Sequence, residues 1–419
     1  MLRPQAEPLG GWLERDPTIG PHVAPFGWAM RILLTDGNER ATLATARSLV
    51  RAGHAVWVTA PMRLSLAGVS RRVRSHTLAT DTLQQPADYA AELGTIARQE
   101  RIDILLPMTD PSVEAVLEHR AALPETVVIP FRDLATYRAS ADKAHVLELA
   151  RSSGFDIPET RIIASADECD DALSDSTFFP AVIKPHRSVV TVGGARRKIA
   201  VTPVPDSAAA RRGLSALPVA AFPVLLQRWV EGIGEGFFAL RWGGRTVAMF
   251  AHRRLREKPP VGGVSVYRES IPLDDALVGP GLRLLDALDW QGVAMVECKR
   301  DLITGRHVIM EVNGRFWGSL QLAIDAGVDF PALLVRCVAG ERVPECRAYR
   351  VGVRSRWFWG DVDHLYLRLR GAQSGSRFQA LRDFFRVHPG RDRSEVWRWR
   401  DPAPFAVETL QWLRILGAG

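Results

Sequence analysis

Lysine is nearly missing from this chain: only five of its 54 Lys and Arg residues are lysine. All five, Lys143, Lys184, Lys198, Lys258 and Lys299, fall in one central stretch. Where arginine supplies the general positive charge, a retained lysine points to a place that needs a compact ammonium in preference to a planar guanidinium. Cysteine is also scarce. Cys169, Cys298, Cys337 and Cys346 show no C-x-x-C spacing, which excludes a disulfide framework and a structural zinc site and makes a reducing cytoplasm the expected location. No apolar run approaches the ~20 residues of a membrane span, so no membrane partner is expected. Residues 1–28 carry Glu7, Glu14, Asp16 and several prolines in place of a signal peptide's apolar run, and are expected to be a disordered extension. Walker A, G-x-S-x-G and H-E-x-x-H motifs are absent, and the loop after the first expected strand, TDGNER, lacks the G-x-G-x-x-G of a dinucleotide site.

What remains is an ordinary globular composition, 47% apolar and 24% charged over 419 residues, enough for two to three domains. The formal charge is +7, and the segment from Glu341 onward, with 15 Arg against 9 Asp and Glu, carries nearly all of the excess. Those arginines alternate with Asp361, Asp363, Asp383, Asp392 and Glu395, so a nucleic-acid partner is not expected. Packing of guanidinium groups on Trp357, Trp359, Trp397, Trp399 and Trp412 in a compact subdomain is. Asp361, Asp363 and His364 are expected to cap a loop rather than to hold a second metal.

The apolar pattern predicts strands at 31–35, 55–59, 104–107 and 126–130, alternating with helices at 39–52, 88–100 and 111–119. This is a parallel, Rossmann-like unit. Asp36 and Asp110 lie at its strand ends, where they face a substrate or cap the next helix. From about 141 the pattern changes. A helix at 141–153 precedes strands at 180–185, 223–230, 236–242 and 246–251, a helix at 276–288, and two last strands at 292–299 and 306–313. VVTVGGARRK, with Gly193, Gly194 and Lys198, reads equally as a phosphate-covering loop or a hairpin turn.

The last two strands carry the chemistry. A turn centred on Thr304 and Gly305 sets Glu297 opposite Glu311, and two carboxylates across a ladder among Val293, Met295, Ile309 and Met310 repel one another. A shared proton or a bridging divalent cation would relieve them. Glu311, Asn313 and Arg315 share a period of two and hence one face, which adds an amide oxygen and a cation. Lys184, inside the apolar strand AVIKP, needs an anion; a nucleotide phosphate and a glutamate such as Glu231 or Glu235 are the alternatives.

These segments, with ADKAHVLELARSSGFDIPET, VIKP, QRWVEG, GVAMVECKRD and IMEVNGRFWGSLQLAIDAGVDFP in that order, resemble the ATP-grasp superfamily from about Met30 to Gly340. Within it they are similar to proteins related to carbamoyl-phosphate synthetase and D-alanine ligase. The resemblance implies a Rossmann-like pre-ATP-grasp domain (29–140) and a two-lobed α+β ATP-grasp domain (141–340, lobes meeting near 230); the basic tail at 341–419 is expected to pack as a mostly helical appendage. The resemblance also implies that Lys143, Lys184 and Lys198 touch the nucleotide, that Gln227, Trp229 and Val230 belong to an adenine-binding linker, and that Glu235 binds the ribose. Glu297, Glu311 and Asn313 would hold magnesium, two ions with manganese able to substitute, while Arg315 and Lys258 would act on the transferring phosphoryl group. The implied reaction is an ADP-forming carboxylate-amine ligation through an acylphosphate, with small carboxylate and amine substrates and a homodimer as a compatible assembly. A thiol or bicarbonate acceptor, or a non-catalytic nucleotide-binding scaffold, is the alternative.

Overall fold

Short apolar segments bounded by turn residues form the first sheet. The computed structural model describes residues 29–193, 195–371 and 376–417; the expected extension at 1–28 lies outside them. Strands Val73–Thr77, Ala55–Ala60, Arg31–Leu34 and Ile104–Leu106 stand in that order, all parallel. Val73–Thr77 was not anticipated, because VRSHT has only half-buried or exposed positions and no apolar run to mark it. The segment at 126–130 is not a strand; it contributes a single bridge from Val128 to Ile104. Helices Arg40–Arg51 and Pro86–Gln99 connect the strands, and Trp57, fully buried, anchors one face.

The expected helix at 141–153 is present as Lys143–Ser152, and a further helix, Leu134–Ala141, directly precedes it. Asp142 separates them, its carboxylate accepting from the backbone N–H groups of Ala144 and His145 at 3.1 Å. A side chain that caps a new helix ends the previous one. The break fixes Lys143 at the first position of the second helix.

A second, antiparallel sheet orders Thr160–Ile163, Val224–Arg228, Ala181–Pro185 and Thr202–Val204. Beside it, Val189–Val192 and Ala195–Lys198 form a two-stranded hairpin, with Gly193 at φ 58° in its turn. The hairpin touches the first domain, where Arg196 pairs with Glu118 and its N–H donates to the Leu83 carbonyl at 3.0 Å.

The largest sheet has seven strands, in the order His307–Asn313, Gly292–Asp301, Gly232–Trp242, Arg245–Lys258, Val264–Ser270, Arg354–Arg356 and Asp392–Ser394. The last two correct the expectation of a mostly helical appendage: residues beyond 341 extend this sheet as well as adding helices Phe358–Leu369, Arg377–Phe385 and Ala403–Gly417. Arginine stacking on tryptophan is present only in part, with Arg40 over Trp357 at 3.8 Å, while Trp359 stacks on Trp412 at 4.1 Å between centroids. Among the described residues, no helix is long and apolar enough to cross a membrane.

Candidate nucleotide and metal site

The hairpin of Gly292–Asp301 and His307–Asn313 places Glu297 directly across from Glu311. The expected pairing is present, but the turn alone does not produce it. Next to the turn Cys298 faces Ile309, and continuing that register would set Glu297 against Met310. A β-bulge at Met310 shifts the ladder by one residue and turns both carboxylates to the same face. Val296, Cys298, Ile309 and Val312 fill the opposite face, packing into a core with Phe237 and Leu285.

Across the neighbouring strand, Gly234 and Gly236 lie opposite Lys299 and Glu297, so this face of the sheet has a floor without side chains. Arg254, paired in the next strand over, lies across that floor. Its Nη2 reaches Glu297 Oε2 at 2.6 Å and its Nη1 reaches Glu257 Oε1 at 2.9 Å. A Cβ at position 234 would sit 2.6 Å from Arg254 Cδ, so glycine is required for the crossing. Gly234→Ala is therefore expected to displace Arg254 from Glu297, visible as a loss of nucleotide affinity with little change in secondary structure by circular dichroism.

Two lysines face these carboxylates, Lys143 from the start of the helix Lys143–Ser152 and Lys184 from the second sheet. Lys143 Nζ donates to Ser188 Oγ at 3.2 Å. The Lys184 ammonium makes no hydrogen bond or ion pair with any described residue; burial pushes it down to about 8, against the pull of Glu311 and with Lys143 adding repulsion. Burial raises the Glu297 carboxyl, with Arg254 opposing and Glu311 reinforcing. Burial would raise Glu311 too, but Lys143, the Asn313 amide (Nδ2 to Oε1, 2.9 Å), Lys184 and Arg315 hold it below the ordinary range. One carboxylate of the pair is thus ready to stay ionised and the other is the more easily protonated, the signature of two like charges in one site.

Arg315 closes the far side. Its Nε and Nη2 reach the two oxygens of Asp110 at 2.9 Å each, and Nη2 also reaches Asn313 Oδ1 at 3.3 Å. Tyr137 Oη donates to Asp110 Oδ1 at 2.7 Å. Thr109, not Asp110, caps the helix Asp110–Glu118, which leaves the Asp110 carboxylate to aim Arg315. A cavity of about 40 Å³ remains between Asp110, Lys143, Arg187, Ser188, Glu311 and Asn313, large enough for an ion or a water.

Lys143, Lys184, Glu297, Glu311, Asn313 and Arg315 therefore converge, and the other expected residues divide. Glu235 is a correction: it lies opposite Cys298, on the reverse face of the sheet, buried against His307 with Oε2 2.9 Å from Nε2. Lys258 is a second correction, being drawn to the C-terminal helix by an ion pair with Asp363 and by the Trp357 ring. In the linker, Gln227 Nε2 donates to Thr160 Oγ1 at 3.1 Å, and the Arg228 and Trp229 N–H groups donate to the carbonyls of Glu159 and Pro180. The Val230 carbonyl accepts from Lys299 Nζ at 2.8 Å, and that ammonium also lies 4.4 Å from the Trp229 ring centroid. Lys198 ends the hairpin on the Asp110 side, where its charge helps hold that carboxyl low. Arg254 and Tyr137 were not anticipated as site residues, while Asp110 was expected only to face a substrate or cap a helix and Lys299 stood out only as one of the five retained lysines; the run GIGEG, with glycine at every second position of a strand, was the available signal for Arg254.

The donors fit magnesium. Two carboxylates and an amide on one face are hard oxygen ligands of the kind magnesium takes. Such a partial set suits an ion whose remaining positions are taken by phosphate oxygens and water.

No family model matches the sequence, and no curated protein matches it. Solved structures do. An N5-carboxyaminoimidazole synthetase from Staphylococcus aureus shares 12% identity at a TM-score of 0.60, over 83% of this chain and 87% of that one. The biotin carboxylase domain of 2-oxoglutarate carboxylase from Hydrogenobacter thermophilus, in complex with MgADP and bicarbonate, shares 13% at 0.60, over 78% and 74%. An L-amino acid ligase from Bacillus licheniformis shares 15% at 0.54, over 73% of each chain. The chain shares with these structures a multidomain α/β fold of the ATP-grasp type.

Proposed function

We propose that this chain is an ATP-dependent, ADP-forming ligase that phosphorylates a small carboxylate-type oxyanion, with bicarbonate as the leading candidate. The supporting observation is the opposed pair Glu297 and Glu311, on one face with Asn313 and ringed by Lys143, Lys184, Arg254 and Arg315. Two anions that repel each other, here a triphosphate and an oxyanion, need this concentration of cations to meet in line. Magnesium held by Glu297, Glu311 and Asn313 would withdraw charge from the phosphoryl oxygens. Lys184, from the opposite sheet, and Lys143, from the start of the helix Lys143–Ser152, would bind phosphate. Arg315, aimed by Asp110, would steady the group in transfer, and Arg254 would exchange Glu297 for an incoming anion.

The amine acceptor expected from the sequence becomes the second reading. Similar structures include biotin carboxylases and N5-carboxyaminoimidazole synthetases, one of them bound to bicarbonate, and these favour a non-amine acceptor; the L-amino acid ligase supports the amine. An ADP-release screen with MgATP decides between them. Bicarbonate-dependent ADP release in carbonate-free buffer, without any amine, is expected. Release that requires a carboxylate and an amine together would restore the ligation of those two. Absence of release with either would remove the catalytic reading.

The lowered Lys184 value gives a pH test. In the free protein burial disfavours the ammonium, so its penalty on stability is fully present below about 8 and disappears as pH rises toward the unfolded value of 10.5. Phosphate needs the charged form. ADP affinity is therefore expected to fall as pH rises through about 8, and the fall should vanish in Lys184→Met; an unchanged pH profile in that variant would remove Lys184 from the phosphate contacts.

Asp110→Asn tests the aiming of Arg315. The pair is only 22% and 30% exposed, so its loss is expected to cost about 2 kcal/mol, less than the ~3–5 of a fully buried pair. In the folded protein, kcat should fall more than the KM for ATP rises, because Arg315 stays charged but loses its direction. A change confined to stability would make Asp110 purely structural.

A further inference from the structure

A cleft of about 520 Å³ lies between the glycine floor of the seven-stranded sheet and the C-terminal helices. Its sheet wall is Gly232, Gly234, Arg254, Arg256 and Arg354; its helical wall carries His364, Arg368, Asp383, Arg386 and His388. Its size is that of a small-molecule site. Five arginines line it against the carboxylates of Glu257 and Asp383.

The pairing of those arginines locates the unbalanced charge. On the sheet wall, each arginine has a close carboxylate partner: Arg254 pairs with Glu297 and Glu257, Arg256 with Asp361, Arg354 with Glu269. The helical wall differs. Arg368 has only a loose contact with Asp383 at 3.6 Å, and Arg386 has no hydrogen bond or ion pair with any described residue. His364 adds a polar group without a partner. Its Nδ1 must donate to the Glu257 carbonyl, 2.6 Å away, which leaves Nε2 as a buried acceptor that no described residue meets. Arg254 joins this cleft to the carboxylate pair, since the guanidinium that lines the one binds Glu297 in the other.

We propose that this cleft binds a second, organic substrate through its anionic group, a carboxylate or a phosphate monoester held by Arg368 and Arg386. Arg254 forms the partition between that substrate and the phosphoryl-transfer site. The inference rests on the ligase reading for its meaning as a substrate site, but anion binding can be measured without turnover.

The test titrates succinate and phosphoserine separately into the full-length protein saturated with MgADP, by isothermal titration calorimetry. The first probe reports a dicarboxylate and the second a phosphate monoester. At least one should bind, with affinity reduced 5-fold or more in Arg386→Ala and lost in Arg368→Ala/Arg386→Ala, while MgADP affinity stays unchanged. Arg386 is exposed, so the single variant is expected to fold. Equal binding in wild type and both variants, or no binding of either probe, would overturn the proposal. Failure of MgADP to bind wild type would sink the ligase reading instead, and the same titrations on nucleotide-free protein would still decide the cleft.

Discussion

Glu311→Gln is expected to lower nucleotide turnover by ~10²–10³ or more, the scale set by removing one preorganised charge-stabilising group from a transfer site. The protein should remain folded with at most a modest loss of stability. The substitution keeps shape and volume while deleting one of two facing carboxylates, so it relieves repulsion across the ladder at Glu297. It also takes from Lys143 and Lys184 the anion they face. Steady-state ADP release and a urea melt on the same preparation separate the two effects. Wild-type turnover would show that Glu311 holds no part of the phosphate or metal, and a collapse in stability would show that the carboxylate is a structural partner of the lysines.

The second large effect is on folding. Asp361 is fully buried and accepts from Arg256 Nε at 2.6 Å, Arg256 Nη2 at 2.7 Å and Arg356 Nε at 2.5 Å. It therefore ties the helix Phe358–Leu369 to two strands of the large sheet. Asp361→Ala leaves two guanidinium groups without their anion, and breaking such a pair from one side costs ~3–5 kcal/mol. Asp361→Asn should be nearly as damaging, because an amide matches the shape and lacks the charge. Equilibrium urea unfolding checks this. A loss below 1 kcal/mol would mean that water reaches the arginines and that the C-terminal region is docked by its tryptophans alone.

Asp361 also shows where sequence reasoning stops. As one of D-V-D-H it reads as a loop cap or a metal ligand, and it is neither; its partners, Arg256 and Arg356, are identified only by the pairing of distant strands. The same limit applies to Asp110, whose partner Arg315 lies 205 residues away. Glu297, Glu311 and Asn313 were legible because a single hairpin contains them and its period of two assigns their face. Even there the bulge at Met310 was invisible, and the pairing was reached from a turn centre that the ladder does not have. Glu235 failed for a local reason: in a strand, one residue of offset is the difference between the two faces. The strand Val73–Thr77 failed because edge strands need little apolar content.

In the proposed function magnesium joins the carboxylates to the polyphosphate, and calorimetry of ADP binding measures that directly. ADP should bind the wild-type protein at least 10-fold more tightly with magnesium than with EDTA, and that difference should shrink to near zero in Glu297→Gln/Glu311→Gln. Equal affinity with and without magnesium in the wild type, or a magnesium effect that survives in the double variant, would contradict it.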